Sequence, residues 1–186
     1  MKTAVLILAA GSASRFGSLK QLALIDDKPM LQHCIDTANS LFPDAVYTVL
    51  GNQSQTIIDS ITTTHIIINP QWQCGLGSSI AVGTSYLQDH FDAILILLAD
   101  QPRIKSHHLK KLIDLFEGQQ VACSRYNNRL GVPAIFAKPY FTDLNQLTGD
   151  SGGKVLLESI SPVPKSLAMV NAASDIDYPE DLANLV

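Results

Sequence analysis

Three segments of the chain carry residue types suited to chemistry, and each follows a short apolar run. In the first, from Gly11 to Lys20, glycine and serine residues accompany the cations Arg15 and Lys20. Gly11 allows backbone conformations that other residues resist, and small neighbours leave amide groups open to an anion. The segment indicates a phosphate cradle. It is neither a Walker A motif nor GxGxxG, so an ordinary strand-to-helix loop stays open as the alternative.

The second segment is acidic and has a counterpart near the C-terminus. Asp100 follows the most apolar run of the chain, and Asp177 lies in the sequence DIDYPED. Mg²⁺ takes one or two carboxylates together with substrate phosphates, so Asp100 is a candidate metal ligand and the acids of DIDYPED offer a second acidic site. As alternatives, Asp100 could start a turn before Pro102, and the later acids could belong to a helix N-terminus.

The third segment, Asn69 to Ser79, leads into a predicted helix. Gly77, Ser78 and Ser79 stand at its start, where exposed amides can hold an anion. Capping of the helix explains these residues about equally well. For Trp72, the only tryptophan, burial in the core is the expected role.

Apolar periodicity supplies the elements that must position these segments. Short continuous apolar runs predict strands at Thr3–Ala9, Ala45–Leu50, His65–Asn69, Ala93–Ala99, Gly131–Phe136 and Val163–Val170. Helical spacing predicts helices at Pro29–Leu41, Ser54–Ile61, Gly77–Gln88, Ser106–Phe116, Pro139–Leu147, Gly153–Ile160 and Pro179–Leu185. Apolar strands between helices imply a three-layer α/β/α sandwich with a Rossmann-like, mostly parallel sheet. The three segments would then converge at the carboxyl ends of the strands.

Composition limits the classes of function. The 186 residues are enough for one domain and short for two, so we expect a single domain over residues 1–186. A net charge of −4 argues against a nucleic-acid binder, and no apolar run approaches the roughly 20 residues of a membrane span. Three cysteines without a CxxC motif indicate neither disulfides nor a zinc site, which favours the reducing cytoplasm.

Several motifs occur in an order that resembles a known family. They are LAAGSASRFGSLKQL at 8–22, NPQWQCGLGSSI at 69–80, LLADQP at 97–102, GVPAIF at 131–136, LTGDSGGKVLL at 147–157 and DIDYPEDL at 175–182. In this order they resemble the MobA-like nucleotidyltransferases, and most closely the molybdenum cofactor cytidylyltransferases. The N-terminus could also be interpreted as a signal peptide. The resemblance explains Arg15 and Lys20, which an export signal does not, so a first strand is the prediction.

The resemblance implies roles for individual residues. Around the nucleoside triphosphate it implies Ala9, Ala10, Gly11, Ser12, Arg15 and Lys20, to which Gly77, Ser78 and Ser79 are added as nucleotide-binding candidates. On the acceptor side the candidates are Gln101, Pro102, Gly131, Pro133, Gly149, Asp150 and Gly152. Arg15, Lys20 and Asp100 are the catalytic candidates, with Mg²⁺ held by Asp100 and Asp177.

The implied reaction transfers CMP from CTP to the terminal phosphate of molybdopterin and releases pyrophosphate. A molybdoenzyme or its chaperone would be the delivery partner. Two segments depart from the family pattern. In GDSGGK, Gly153 and Lys154 replace alanine and arginine, which affects acceptor recognition because lysine lacks the planar fork of arginine. Tyr178 replaces a threonine and leaves the neighbouring Asp177 as a candidate metal ligand. Open alternatives are a GTP-using or sugar-1-phosphate nucleotidyltransferase, and a carrier that binds nucleotide or cofactor without turnover.

Overall fold

The computed structural model describes residues 1–11, 16–150 and 152–185. Its strands are β1 (Thr3–Leu8), β2 (Leu24–Ile25), β3 (Lys28–Pro29), β4 (Val46–Leu50), β5 (His65–Ile68), β6 (Ala93–Leu98), β7 (Val121–Tyr126), β8 (Arg129–Ala137) and β9 (Lys165–Ala168). Its α-helices are α1 (Met30–Asn39), α2 (Ser54–Ile58), α3 (Leu76–Leu87), α4 (Ser106–Leu115), α5 (Phe141–Asn145) and α6 (Gly152–Ser159). Short 3₁₀ helices span Lys20–Leu22, Trp72–Cys74, Lys138–Tyr140, Val170–Ala173 and Pro179–Leu185.

The main sheet has the strand order β5-β4-β1-β6-β8-β7-β9. Strands β5, β4, β1 and β6 are parallel, β8 runs antiparallel to both of its neighbours, and β9 is parallel to β7. Leu8, the last residue of β1, is level with Val49 of β4 and with Leu98 of β6. The carboxyl ends of these three strands therefore lie side by side.

Helices cover both faces of the sheet because its central strands are apolar on both sides. Val5 and Ile7 face a core shared with α1, α2 and α4, whereas Leu6 and Leu8 face a core shared with α3, α5 and α6. This arrangement confirms the predicted three-layer sandwich with a mostly parallel sheet. No helix of the described residues combines the length and apolar composition that crossing a bilayer requires.

The N-terminal segment is confirmed as a strand, since β1 is hydrogen-bonded between two neighbours at the middle of the sheet. Strand β7 was not predicted, because its sequence VACSRY ends in polar residues and lacks a continuous apolar run. In place of the α-helix predicted at Pro139–Leu147, the structure has a 3₁₀ turn followed by the short helix α5. The helix predicted at Pro179–Leu185 is a 3₁₀ helix.

Candidate active site

A cavity of about 550 Å³ opens at the carboxyl ends of β1 and β6, beside the start of α3. Its size falls within the roughly 300–1,000 Å³ that is usual for small-molecule sites. The described residues that line it are Leu8, Ala9, Ala10, Gly11, Lys20, Gln21, Met30, Trp72, Gln73, Gly75, Leu76, Ser79, Leu98, Ala99, Asp100, Asp150 and Asp177. All three segments singled out by the sequence, together with the C-terminal acid, thus reach one cavity.

A buried glutamine contacts the backbone at the start of the first segment. Gln21 is 3% exposed, and its Nε2 donates hydrogen bonds to the carbonyl oxygens of Ala9 at 2.9 Å and Gly11 at 3.0 Å. Ala9 and Ala10 are buried, and they line the cavity together with Gly11. Sequence reasoning missed Gln21, because only its place beside Lys20 distinguishes it from other glutamines. Ser12 and Arg15 lie outside the described residues.

Lys20 joins the two candidate metal ligands. Its Nζ lies 2.8 Å from Oδ2 of Asp100 and 3.0 Å from Oδ1 of Asp177, and it also donates to the carbonyl oxygen of Ile176 at 2.8 Å. The carboxylates come from positions 80 and 157 residues further along the chain. Burial opposes the charge on Lys20, but the two carboxylates outweigh it and hold the pKa of Lys20 above its usual value.

The residues present fit a hard divalent cation. Oδ1 of Asp100 is buried and has no hydrogen-bond partner among the described residues, and such an atom calls for a ligand. Because the carboxylates of Asp100 and Asp177 approach the same nitrogen, one cation could reach both. Within the described ranges there is no cluster of three or more His, Cys, Asp or Glu side chains suited to a metal. Water and substrate phosphate would then complete the coordination, as is usual for Mg²⁺.

The start of α3 is organised by Asn69. Its Nδ2 donates to Oγ of Ser78 at 2.9 Å and of Ser79 at 3.0 Å, and Asn69 itself is fully buried. Gly77 donates its amide to the carbonyl oxygen of Gly149 at 2.8 Å. Only Ser79 of the three predicted nucleotide-binding residues at this helix lines the cavity, and their contact with a nucleotide stays a prediction.

A second loop packs against this helix start. Gly75 has a φ of +90°, and a Cβ at this position would lie 2.4 Å from the carbonyl carbon of Gly149 and 2.6 Å from Oδ1 of Asp150. This close approach brings Asp150 to the cavity wall. Trp72, expected in the core, is only partly buried and also lines the cavity.

Four of the predicted acceptor-side residues are buried and are not among the described residues that line the cavity. Gln101, Pro102, Gly131 and Pro133 are buried, and a Cβ at Gly131 would meet the Tyr126 hydroxyl at 2.5 Å. Gly149 is exposed, and Gly152 begins α6. Among the described residues of this predicted set, Asp150 alone lines the cavity.

A third carboxylate, that of Asp175, lies near the candidate metal ligands Asp100 and Asp177. No described contact joins it to Lys20. Oδ1 of Asp175 accepts a hydrogen bond from Gln101 at 2.9 Å. Partial burial, and then the nearby charge of Asp100, raise the pKa of Asp175 above its usual value, against the opposing effect of the Gln101 hydrogen bond. Asp175 is not among the described residues that line the cavity, so its carboxylate affects the site through its charge interaction with Asp100 and through the Gln101 hydrogen bond.

The chain is similar to a known protein family and to curated proteins over much of its length. The family described as MobA-like NTP transferase domain matches residues 5–164. A curated relative, the bifunctional protein GlmU of Hydrogenovibrio crunogenus, is 35% identical over 120 residues, which are 63% of this chain and 26% of that protein. The chain thus spans about a quarter of the length of that relative.

Solved structures with a similar fold match this chain over its whole length. The crystal structure of Rv0371c from Mycobacterium tuberculosis H37Rv has a TM-score of 0.86 and 25% identity, and the match covers 100% of this chain and 97% of that one. The same mycobacterial protein in complex with manganese has a TM-score of 0.83 and 24% identity, with 100% and 98% covered. These likenesses extend across every strand of the sheet.

Proposed function

The chain belongs to the MobA-like NTP transferase domain family, and from that premise we propose that it is a metal-dependent nucleotidyltransferase that moves CMP from CTP to the terminal phosphate of molybdopterin and releases pyrophosphate. One observation carries the proposal. Lys20 is held between Asp100 and Asp177 at the wall of a cavity that Ala9, Ala10 and Gly11 also line. This arrangement combines a cation for phosphate oxygens with two carboxylates for a metal.

Asp100 and Asp177 would hold Mg²⁺. The manganese complex of a structural relative supports a divalent cation in this fold. Bound there, the metal would neutralise charge on the α-phosphate and the departing pyrophosphate.

The chain itself supplies alignment and charge. Gln21 donates hydrogen bonds to the carbonyl oxygens of Ala9 and Gly11, which orders the backbone at the start of the segment expected to meet the phosphates. Lys20, together with the predicted contribution of Arg15, would stabilise negative charge on pyrophosphate. The attacking phosphate monoester has a second pKa of about 6 and is mostly dianionic at neutral pH, so no strong general base is required. Catalysis then depends on orientation and charge neutralisation.

The preference for CTP rests on two resemblances in sequence. Ala9-Ala10-Gly11 stands where guanine-using members have Leu-Ala-Gly-Gly, and GVPAIF resembles the cytidine-using form of that strand. In the structure, Ala9 and Ala10 line the cavity and are buried. The first loop is accordingly the part of the wall expected to contact the nucleotide.

The test is pyrophosphate release by the purified protein with Mg²⁺ and CTP, GTP or ATP, each with and without molybdopterin. We expect release that needs molybdopterin and is fastest with CTP. Faster release with GTP, or release only with a sugar 1-phosphate, would replace the substrate but keep the reaction class. Binding of CTP without any release would instead identify a non-catalytic carrier and overturn the proposal.

A substitution at the metal site tests the mechanism. Asp100→Asn keeps the side-chain shape but removes the charge, so we expect turnover to fall roughly 10²- to 10³-fold, while CTP affinity measured by calorimetry changes only a few-fold. Asp92→Asn is the matched control. Asp92 stands just before the first residue of β6, whereas Asp100 follows its last residues, and Asp92 accepts a hydrogen bond from the Lys2 amide. Unchanged turnover in Asp100→Asn would remove the metal role.

A further inference from the structure

The two carboxylates at the site come from strands that are not neighbours. Asp100 follows β6 and Asp177 follows β9, and strands β8 and β7 separate these two in the sheet. After β9 the chain must cross back to the end of β6 to bring Asp177 to Lys20. We call residues 169–178, which make this crossing, the return segment. Its placement decides the distance between the two carboxylates.

Gln101 ties the return segment to the end of β6. Its Nε2 donates to the carbonyl oxygen of Ala172 and to Oδ1 of Asp175, both at 2.9 Å. Beside it, the amide of Ile176 donates to the carbonyl oxygen of Asp100 at 3.0 Å. Gln101 is 2% exposed and is not among the described residues that line the cavity. Its side chain therefore joins two protein segments and does not face the cavity.

We infer that Gln101 is a positioning residue for the metal site, which holds Asp177 at the distance from Asp100 that one divalent cation requires. The inference rests on the proposed function, since it assumes that both carboxylates bind a metal. An amide suits the role because its NH₂ group donates to a carbonyl and a carboxylate at once. A glutamate would oppose Asp175, and a methionine of similar length would have no donor. Groups that support metal ligands in this way typically contribute 10- to 100-fold in metal affinity or activity.

The test measures Mn²⁺ binding directly, by the electron paramagnetic resonance signal of free Mn²⁺. We expect Gln101→Met to raise the Mn²⁺ dissociation constant about tenfold. In assays of turnover, the Mg²⁺ concentration for half-maximal rate should rise similarly, while kcat at saturating Mg²⁺ stays within a few-fold of the wild type. Recovery at high Mg²⁺ distinguishes a misplaced ligand from a damaged fold.

Gln32 offers a matched control. It is 9% exposed, and its Nε2 donates to a carboxylate, Asp36 at 2.7 Å, and to a backbone carbonyl, Thr62 at 3.4 Å, but Gln32 is not among the described residues that line the cavity. Gln32→Met removes these two bonds and the one that Oε1 accepts from the Thr62 amide, so it should lower thermal stability at least as much as Gln101→Met without changing Mn²⁺ affinity. An effect of Gln101→Met on Mn²⁺ no larger than that of Gln32→Met would overturn the inference.

A second pair of variants tests the same inference even if Gln101→Met does not fold. Asp175→Leu and Asp175→Asn both remove the charge, but only asparagine keeps an oxygen that can accept the Gln101 hydrogen bond. We expect the leucine variant to bind Mn²⁺ several-fold more weakly than the asparagine variant, and equal binding would count against the positioning role.

Asp100→Asn distinguishes a failure of the proposed metal site from a failure of the positioning role of Gln101. If it leaves Mn²⁺ affinity unchanged, the metal site of the proposed function fails. If it weakens Mn²⁺ binding while Gln101→Met does not, only the positioning role fails.

Discussion

The positive charge of Lys20 is expected to have two opposing effects, one on metal binding and one on the phosphates of the nucleotide. Its side chain is 16% exposed, and the carboxylates of Asp100 and Asp177 compensate for the loss of hydration. The same two carboxylates are the candidate ligands of a divalent cation. Lys20 would therefore compete with the metal for the carboxylates, and it would stabilise the phosphates once a nucleotide binds. Removing it should change metal affinity and turnover in opposite directions.

Lys20→Met tests this competition. The substitution keeps a side chain as long as the aliphatic stem of lysine but removes the ammonium group, so we expect the protein without nucleotide to bind Mn²⁺ several-fold more tightly, because like-charge repulsion disappears. Turnover should fall by roughly 10²-fold or more, because the phosphates lose a cation. Titration of Mn²⁺ and pyrophosphate release measure the two effects.

Lys28→Met is the control for this substitution. Lys28 also pairs with a carboxylate, that of Asp36 at 2.6 Å, but both side chains are more than 40% exposed and lie outside the cavity lining. Exposed pairs of this kind contribute at most about 1 kcal/mol, so neither Mn²⁺ affinity nor turnover should change. Weaker Mn²⁺ binding in Lys20→Met would show that Lys20 organises the carboxylates and does not compete for them.

Sequence reasoning found charged residues at the cavity more readily than the amides that support them. Lys20, Asp100 and Asp177 stand out by charge and by their place after apolar runs, and the structure brings the three together. The hydrogen bonds of Gln21 and Gln101 could not be predicted, because burial patterns say nothing about which distant carbonyl an amide meets. The bonds of Gln101 depend on the path of the return segment, for which no periodic pattern exists.

The 3₁₀ turn before α3 and the 148–150 loop form one wall of the cavity. Gly75 allows the two segments to touch, since its φ of +90° and ψ of 178° belong to a region that is essentially restricted to glycine. The amide of Gly149 also donates to the carbonyl oxygen of Cys74 at 3.0 Å. Asp150 reaches the cavity only because this contact is close.

Gly75→Ala should separate the two segments. The added Cβ would be strained and would lie 2.4 Å from the carbonyl carbon of Gly149, so we expect a loss of about 2 kcal/mol in the free energy of unfolding. The acceptor KM should rise more than the CTP KM, because Asp150 moves while the first loop stays in place. Denaturant melts and steady-state kinetics give these values.

Gly153→Ala provides the comparison. The nearest atom to its Cβ would be Cδ1 of Ile80 at an ordinary 3.8 Å, and alanine favours a helix over glycine by up to about 1 kcal/mol. Stability should stay equal or increase. If Gly75→Ala behaves in the same way, the close contact has no energetic importance.

The elements that sequence predicted best are those buried on both faces. β1 and β6 are continuous apolar runs and were placed to within a residue or two, as was the amphipathic helix α4. β7 was missed, and the reversed direction of β8 was not anticipated, since strand direction depends on pairing with distant partners and not on local periodicity. The helix predicted at Pro179–Leu185 is a 3₁₀ helix, and the one predicted at Pro139–Leu147 begins with a 3₁₀ turn, because apolar spacing does not distinguish 3₁₀ from α.

The two cores lie on opposite faces of one sheet, and the same central strands supply both. Consecutive residues of β1 alternate between them, as do those of β6. Loss of packing on one face should therefore loosen the strands that support the other. This coupling is the physical reason to expect residues 1–186 to unfold as one domain, which stays a prediction.

The three cysteines are free thiols, and two of them lie in different cores. Cys34 belongs to the core under α1, Cys123 belongs to the opposite core, and Cys74 is exposed. Burial raises the pKa of the Cys34 thiol to about 12, with a further contribution from Asp100, and burial raises that of Cys123 to about 11. Unfolded thiols titrate near a pKa of about 8.5, so between about pH 8.5 and 11 the native state holds more protons. The free energy of unfolding should accordingly fall as the pH rises through that range.

Pulsed alkylation at pH 8 across a urea series tests whether the molecule unfolds as one unit. Without urea, Cys74 should react at once, while Cys34 and Cys123 stay protected because only the thiolate attacks and both thiols are buried. With increasing urea, Cys34 and Cys123 should become reactive at the same midpoint, measured for each by mass spectrometry of its peptide. If Cys123 reacted at a clearly lower urea concentration than Cys34, the helices α3, α5 and α6 would leave the sheet first. The two faces would then be separate cooperative units, contrary to the single domain that the shared strands predict.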